Sequence, residues 1–178
     1  MKIGIDLDGV VIDSETTFRT YEEIFDIDFL KGNNLVNKEE PKFQARYNWT
    51  DKQEEEFIKK YFLTVSKESN LMSGFIGVYN LLKKQGHEFV VITARGGFLE
   101  EMKDDAIRLL DENNIKFDKY YWKVEDKLQV CQNENIDIMI DDDWRIIKKL
   151  SDFVKRFKSN FLFLTLHTNL HFYFVLIF

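Results

Sequence analysis

Single amphipathic helices alternate with strand-like segments through the second half of this sequence. The spacing of apolar residues predicts helices over about 74–85, 98–113, 126–134 and 143–153. Strand-like runs lie between them or before them, at 2–7, 88–94, 119–122 and 136–140. Strands joined by single helices need right-handed crossovers, which place the strands parallel in one sheet with helices on both faces. The sequence therefore predicts an α/β fold with a Rossmann-like, three-layer parallel sheet.

A mainly helical segment follows the first strand and separates it from the alternating region. Ser14 is a good N-cap for one helix, and Thr50 with Gln53 forms a capping-box pattern ahead of another. We expect this segment to be a small inserted cap. The predicted parts are an α/β core at 1–13 and 73–166, a helical cap at 14–72, and an atypical apolar tail at 167–178.

Composition narrows the class of partner. The net charge is −6, with 44% hydrophobic and 31% charged residues, which suits a folded domain with an acidic surface. Affinity for a nucleic-acid polymer depends on clustered Lys and Arg, so such a partner is not expected. The single cysteine, Cys131, excludes an internal disulfide and a Cys-based zinc site. The three histidines, His87, His167 and His171, have no metal-ligand spacing, and no secretory signal is visible, so a cytoplasmic location is the expectation.

Polar residues stand where the predicted strands end, which is where open α/β sheets bind ligands. They are Asp6, Asp8 and Gly9 after the first strand, Thr93, Ala94 and Arg95 after the second, Lys127 at a helix start, and Asp141, Asp142 and Asp143 after the last clear strand. Two carboxylates about 4 Å apart repel by about 4 kcal/mol at an effective dielectric near 20. A carboxylate cluster therefore needs protons or a cation, and an all-oxygen site suits Mg²⁺.

Each of these residues also has an ordinary structural interpretation. Asp-x-Asp-Gly is a common turn, although the positions that follow it lack the ligands of an EF-hand loop. Thr93 suits a strand, and Lys127 could be a surface lysine. Asp142 could support the metal waters or cap a helix, Asp13 could brace the loop, and Arg95 could contact the substrate or form a salt bridge at the rim. The ordered set, rather than any one member, favours a catalytic site.

That ordered set resembles the haloacid dehalogenase (HAD) superfamily of phosphotransferases. The resemblance rests on DLDGV at 6–10, VVITA at 90–94, Lys127 and IMIDDD at 138–143. It implies that Asp6 is the nucleophile that forms an aspartyl-phosphate and that Asp8 is the general acid and base.

The same resemblance implies the groups that hold phosphate and metal. Asp6, the backbone carbonyl of Asp8, and Asp141 would bind Mg²⁺. The expected phosphate-binding residues are Thr93, Ala94, Lys127 and Gly9.

The substrate is predicted to be a small phosphorylated metabolite. The opening DLDGVVID and the cap length resemble the 5′(3′)-deoxyribonucleotidase branch and its bacterial relatives, which favours nucleoside monophosphates. Sugar phosphates and phosphoglycolate are alternatives, and a phosphate-binding or receiver-like module without turnover is a competing class. Cap residues that could face the substrate are Phe18, Tyr21, Phe43, Arg46, Tyr47 and Trp49. A homodimer is one expectation for the assembly.

The last stretch of the sequence, 161–178, is uncharged and aromatic-rich. Its first six residues, FLFLTL, suit a final buried strand. The remainder has three interpretations: a strand extension with a turn near Thr168 and Asn169, a membrane contact without stable insertion, or an aberrant terminus.

Overall fold

The computed structural model describes residues 1–40, 43–157 and 173–176, with the backbone alone for 154–157 and 173–176. The elements in chain order are β1 (Lys2–Ile5), β2 (Ile12–Asp13), α1 (Ser14–Leu30), α2 (Phe43–Arg46), α3 (Asp51–Glu68), β3 (Asn70–Leu71), α4 (Phe75–Lys84), β4 (Glu88–Ile92), α5 (Glu101–Glu112), β5 (Lys119–Tyr121), α6 (Lys127–Glu134), β6 (Ile138–Asp141), α7 (Trp144–Phe157) and β7 (Tyr173–Leu176). They form two compact units, one of Met1–Asp13 with Asn70–Phe178 and one of Ser14–Ser69.

The first unit, the core unit, is built on a sheet whose described strands run in the order β5-β4-β1-β6-β7. The four strands β5, β4, β1 and β6 are parallel, and β7 pairs antiparallel with β6 at one edge. The predicted parallel α/β sheet is therefore confirmed. The antiparallel edge was not predicted, and the strand predicted at 161–166 lies outside the described residues, as do Thr168 and Asn169.

The sheet forms the middle layer of the core unit. Its strands are apolar on both faces, as expected for parallel strands covered by helices on both sides. In β4, Phe89 and Val91 pack into one buried cluster, whereas Val90 and Ile92 pack into a second. Successive side chains of a strand point to opposite faces, so these two clusters fill the two helix–sheet layers. The three-layer arrangement holds the carboxyl ends of β1, β4 and β6 side by side.

The second unit, the cap unit, contains α1, α2 and α3. The predicted capping box at the start of α3 is confirmed, because the Gln53 N–H donates to the Thr50 hydroxyl and the Gln53 side chain accepts from the Thr50 N–H. An aromatic cluster holds the unit together, and its members include Phe18, Tyr21, Phe25, Phe43, Tyr47, Trp49, Phe57 and Tyr61. Five of these, Phe18, Tyr21, Phe43, Tyr47 and Trp49, are among the cap residues expected above to face the substrate. Packing within the cap accounts for these rings.

The chain leaves the core unit through β2 and returns through β3, which pair antiparallel with each other. Asp13 lies opposite Asn70 in this ribbon and is half-buried. The cap unit ends at Ser69, whereas the sequence-based boundary was placed after residue 72.

Candidate active site

Asp6 and Asp141 lie next to each other at the carboxyl ends of two neighbouring parallel strands. Ile5 of β1 is in register with Ile140 of β6, and the Asp6 N–H donates to the Ile140 carbonyl at 3.0 Å. Both aspartates follow these paired residues, so the sheet itself brings together two carboxylates that are far apart in the sequence. One carboxylate oxygen from each of Asp6, Asp141 and Asp142 lies within 4.8 Å of the others.

Lys127, the first residue of α6, reaches into this cluster. Its Nζ lies 3.0 Å from Asp6 Oδ1 and 2.7 Å from Asp141 Oδ2, and the side chain is only 7% exposed. Burial alone would lower the pKa of the Lys127 ammonium, but the negative charges of Asp6 and Asp141 more than offset this, so its pKa is raised. Lys127 is therefore a buried cation of the cluster and not a surface lysine.

The two carboxylates at the end of β6 have different surroundings. Asp141 is fully buried, and both its oxygens accept hydrogen bonds, one from Lys127 and the other from the Asp143 N–H at 2.9 Å. Asp142 reaches solvent and lies against Gly9, where an added Cβ would come within 2.3 Å of Asp142 Oδ2. Asp142 thus joins the cluster directly, with its oxygens turned to the space that Gly9 leaves open.

The carboxylates of this cluster carry more negative charge than Lys127 can balance. Burial raises the pKa of Asp6 and of Asp141. Protein atoms that limit hydration, together with repulsion from Asp6 and Asp141, raise the pKa of Asp142 to about 8. Three ionised carboxylates and one ammonium would leave two negative charges, which a divalent cation balances. The oxygen-only donor set fits Mg²⁺.

A cavity of about 710 Å³ opens onto this cluster. Its lining includes Asp6, Ala94, Lys127, Asp141 and Asp142. Of the other predicted phosphate-binding residues, neither Thr93 nor Gly9 is among the described lining residues. Thr93 is 1% exposed, and its hydroxyl oxygen accepts from the Arg95 N–H at 3.2 Å. The Gly9 N–H donates to the Ile12 carbonyl at 2.9 Å, which closes the turn after β1.

Asp8 is engaged by Arg95. Arg95 Nε donates to Asp8 Oδ2 at 3.1 Å, and Arg95 Nη2 lies 3.0 Å from Asp8 Oδ1. Asp8 still lies near enough to the cluster for its charge to raise the pKa of Asp6 and of Asp142. The sequence left two interpretations for Arg95, contact with the substrate and a salt bridge at the rim, and it did not identify Asp8 as the partner.

Several solved structures have a fold similar to that of this chain. A haloacid dehalogenase-like hydrolase from Streptococcus pneumoniae superposes with a TM-score of 0.52 at 18% identity, over 76% of this chain and 70% of that one. A protein from Thermotoga maritima assigned as a β-phosphoglucomutase gives 0.50 at 16% identity, over 76% and 71%. A second Streptococcus pneumoniae hydrolase gives 0.51 at 13% identity, over 76% and 78%. The fold is that of the haloacid dehalogenase-like hydrolases.

Sequence comparison adds nothing to this likeness: no protein-family profile matches the chain, and neither does any curated protein. At such low identity the HAD-like neighbours establish the fold alone. No helix in the described part of the chain is long and apolar enough to span a membrane.

Neither Cys131 nor His87 belongs to the carboxylate cluster or lines its cavity. Cys131 is buried on α6, and burial raises the pKa of its thiol to about 12, so it stays protonated near neutral pH. His87 lies near the N-terminus, with Nδ1 3.3 Å from the Met1 amine. His167 and His171 lie outside the described residues.

Proposed function

We propose that this protein is a Mg²⁺-dependent phosphomonoester hydrolase that transfers the phosphoryl group to Asp6. The observation that carries the proposal is the meeting of Asp6, Asp141, Asp142 and Lys127 at one cavity on the carboxyl edge of the sheet. A nucleophilic carboxylate, a buried ammonium and a divalent-cation site are the parts that phosphoryl transfer needs. The HAD-like fold of the hydrolase neighbours supports the same reaction class.

In the first step, an Asp6 carboxylate oxygen attacks phosphorus and the bond from phosphorus to the ester oxygen breaks. Asp8 in its acid form donates a proton to the leaving oxygen, so an alcohol departs and an aspartyl-phosphate remains. In the second step, Asp8 accepts a proton from water as the water oxygen attacks phosphorus. The bond from phosphorus to Asp6 then breaks, which releases phosphate and restores the Asp6 carboxylate.

The surrounding residues stabilise charge during both steps. We infer that Asp6, Asp141 and Asp142, with the Asp8 carbonyl, hold the ion, because one carboxylate oxygen of each lies within 4.8 Å of the others. Each Asp141 oxygen accepts a single hydrogen bond and keeps a second lone pair for the ion. This keeps the expected ligands and adds Asp142, for which the sequence left two interpretations, support of the metal waters and a helix cap. When bound, Mg²⁺ would offset the negative charge that develops on the phosphoryl oxygens. Lys127 would contact the same oxygens.

The backbone of Ala94, which lines the cavity, and the hydroxyl of Thr93 are the remaining groups proposed to orient the phosphate. Thr93 can still donate its hydroxyl proton while its oxygen accepts from Arg95. Gly9 has no side chain, which allows Asp142 to approach the turn after β1 closely.

Two substrate classes follow from different observations. The sequence resemblance to deoxyribonucleotidases favours nucleoside monophosphates. The likeness to the Thermotoga maritima protein assigned as a β-phosphoglucomutase favours a sugar phosphate. A panel containing deoxynucleoside and ribonucleoside monophosphates, hexose phosphates and phosphoglycolate would rank them by kcat/KM.

The reaction class is tested with para-nitrophenyl phosphate. We expect Mg²⁺-dependent turnover by the wild type and a loss on the order of 10³ or more in Asp6→Asn, which removes the nucleophile. Asp104→Asn, an exposed aspartate of α5, is the matched control and should keep wild-type activity. Turnover that survives in Asp6→Asn would refute the nucleophile, and a wild type that binds phosphate without turnover would favour the receiver-like module.

A further inference from the structure

The bidentate pair between Asp8 and Arg95 has no part in the mechanism described so far. We propose that Arg95 is a positioning residue that fixes the orientation of the Asp8 carboxylate for proton transfer in both steps. This inference rests on the proposed phosphatase function. Arg95 would act only through Asp8, without contact with the substrate.

The geometry of the pair restricts the Asp8 side chain more than a single contact would. Nε and Nη2 of Arg95 engage the two different oxygens of Asp8, at 3.1 and 3.0 Å. Two parallel contacts between planar groups define both the direction and the rotation of the carboxylate. The Asp8 side chain is 35% exposed, so without this fork it could turn towards solvent.

Arg95 is itself held firmly, which an orienting group requires. Its side chain is 1% exposed, whereas most arginines extend into water. The Arg95 N–H donates to the Thr93 hydroxyl at 3.2 Å, and its carbonyl accepts from the Lys123 N–H at 3.2 Å. The fixed partner is therefore Arg95, and the adjustable partner is Asp8.

The ion pair between Arg95 and Asp8 is not well suited to stabilising the folded protein by itself. Burying a guanidinium is unfavourable because it loses its hydration, and a pair with a partly exposed carboxylate offsets only part of that loss. In addition, Arg95 Nη1 is buried and makes no hydrogen bond within the described part of the protein. A costly, incompletely satisfied pair beside a candidate acid and base is better explained by orientation of Asp8.

Leaving-group dependence tests this role. An alkyl phosphate releases a poor leaving group that needs a proton, whereas para-nitrophenyl phosphate releases a good one that does not. We expect Arg95→Gln to lose about 100-fold in kcat/KM on an alkyl phosphate but less than about tenfold in kcat/KM on para-nitrophenyl phosphate, the size expected for lost proton transfer to the leaving group. The comparison uses kcat/KM because kcat also includes hydrolysis of the aspartyl-phosphate, a step that the two substrates share. Arg95→Lys should resemble Arg95→Gln because a lysine cannot form the fork, and Arg108→Gln on α5 should match the wild type on both substrates.

A double-mutant cycle separates positioning from a structural role. In the Asp8→Asn background, Arg95→Gln should cause almost no further loss, because its only route to the reaction is gone. Equal losses in kcat/KM on both substrates, additive losses in the cycle, or unchanged activity in Arg95→Gln would each overturn the inference. If Arg95→Gln fails to fold, the same comparisons are made with Arg95→Lys. A wild type without Asp6-dependent turnover would instead refute the proposed function.

Discussion

At the scale of single residues, Gly9 shows how closely the turn after β1 and the end of β6 approach each other. Its φ of +70° lies in the left-handed region, and an added Cβ would come within 2.3 Å of Asp142 Oδ2. We expect Gly9→Ala to lower stability by about 1–2 kcal/mol through backbone strain. Displacement of Asp142 should also weaken Mg²⁺ binding by about tenfold or more, measured by titration calorimetry.

Gly86 provides the matched control for that variant. Its φ is +81°, but an added Cβ there would meet no atom within 4 Å. Gly86→Ala should therefore show a similar loss of stability in thermal unfolding while Mg²⁺ affinity stays at the wild-type value. Equal Mg²⁺ affinity in the two glycine variants would contradict the contact between residue 9 and Asp142.

The sequence was enough to select Asp6, Lys127 and Asp141, because each occupies a strand end or helix start that the fold brings to one edge. It was not enough to decide between the two interpretations of Asp142. That choice depends on which neighbour each carboxylate meets: Asp141 lies beside Lys127 and the Asp143 N–H, whereas Asp142 lies against Gly9. The pairing of Arg95 with Asp8 depends likewise on side-chain rotamers, which spacing along the chain does not determine.

At the scale of elements, the helices and strands of the core unit follow from apolar periodicity and from their capping residues. The edge strand β7 does not, because nothing in the uncharged stretch 161–178 distinguishes its strand from its connections. The pairing of β7 with β6 is a tertiary contact, in which β7 covers the edge of β6 that does not pair with β1. Local periodicity carries no information about such a contact.

Within the cap unit, α1 contains a buried carboxylate whose proton should couple stability to pH. Glu22 is fully buried beside Arg46, with Glu22 Oε2 3.0 Å from Arg46 Nη1. Burial raises the pKa of Glu22 from 4.5 to about 7. Because the folded form holds its proton more tightly than the unfolded form, stability from this group is present below about pH 4.5 and is lost as pH rises through about 7.

Glu22→Gln tests this coupling, since glutamine keeps the shape but cannot ionise. Between about pH 5 and pH 8 the wild-type cap should lose up to about 3 kcal/mol from this group, and the variant should lose much less. Denaturant unfolding followed by the fluorescence of Trp49, which is 8% exposed, would measure it in a background with Trp122→Phe and Trp144→Phe. Parallel pH curves for the two proteins would contradict the assigned pKa.

At the scale of the whole molecule, the alternation of strands and helices was the information that mattered most. It predicted a parallel sheet, and a parallel sheet places all its carboxyl ends on one edge. The four short motifs that carry the family resemblance, each weak alone, are therefore expected at the same edge of the sheet. What the alternation could not supply is the charge balance at that edge, which depends on burial and on distances of a few ångströms.

That charge balance predicts how Mg²⁺ should affect stability at different pH values. Without the ion, protons held by Asp6 and Asp142, whose pKa values are raised from 3.8 to about 7 and about 8, stabilise the folded form at low pH. This contribution is lost as pH rises through about 7 to 8. Mg²⁺ needs the ionised carboxylates, so it competes with those protons. The increase in Tm on adding Mg²⁺ in place of a chelator should therefore be small near pH 6 and larger near pH 8.5. Asp142→Asn should reduce that increase, Gly86→Ala should keep it, and a wild-type increase that is the same at both pH values would mean that the ion does not replace these protons.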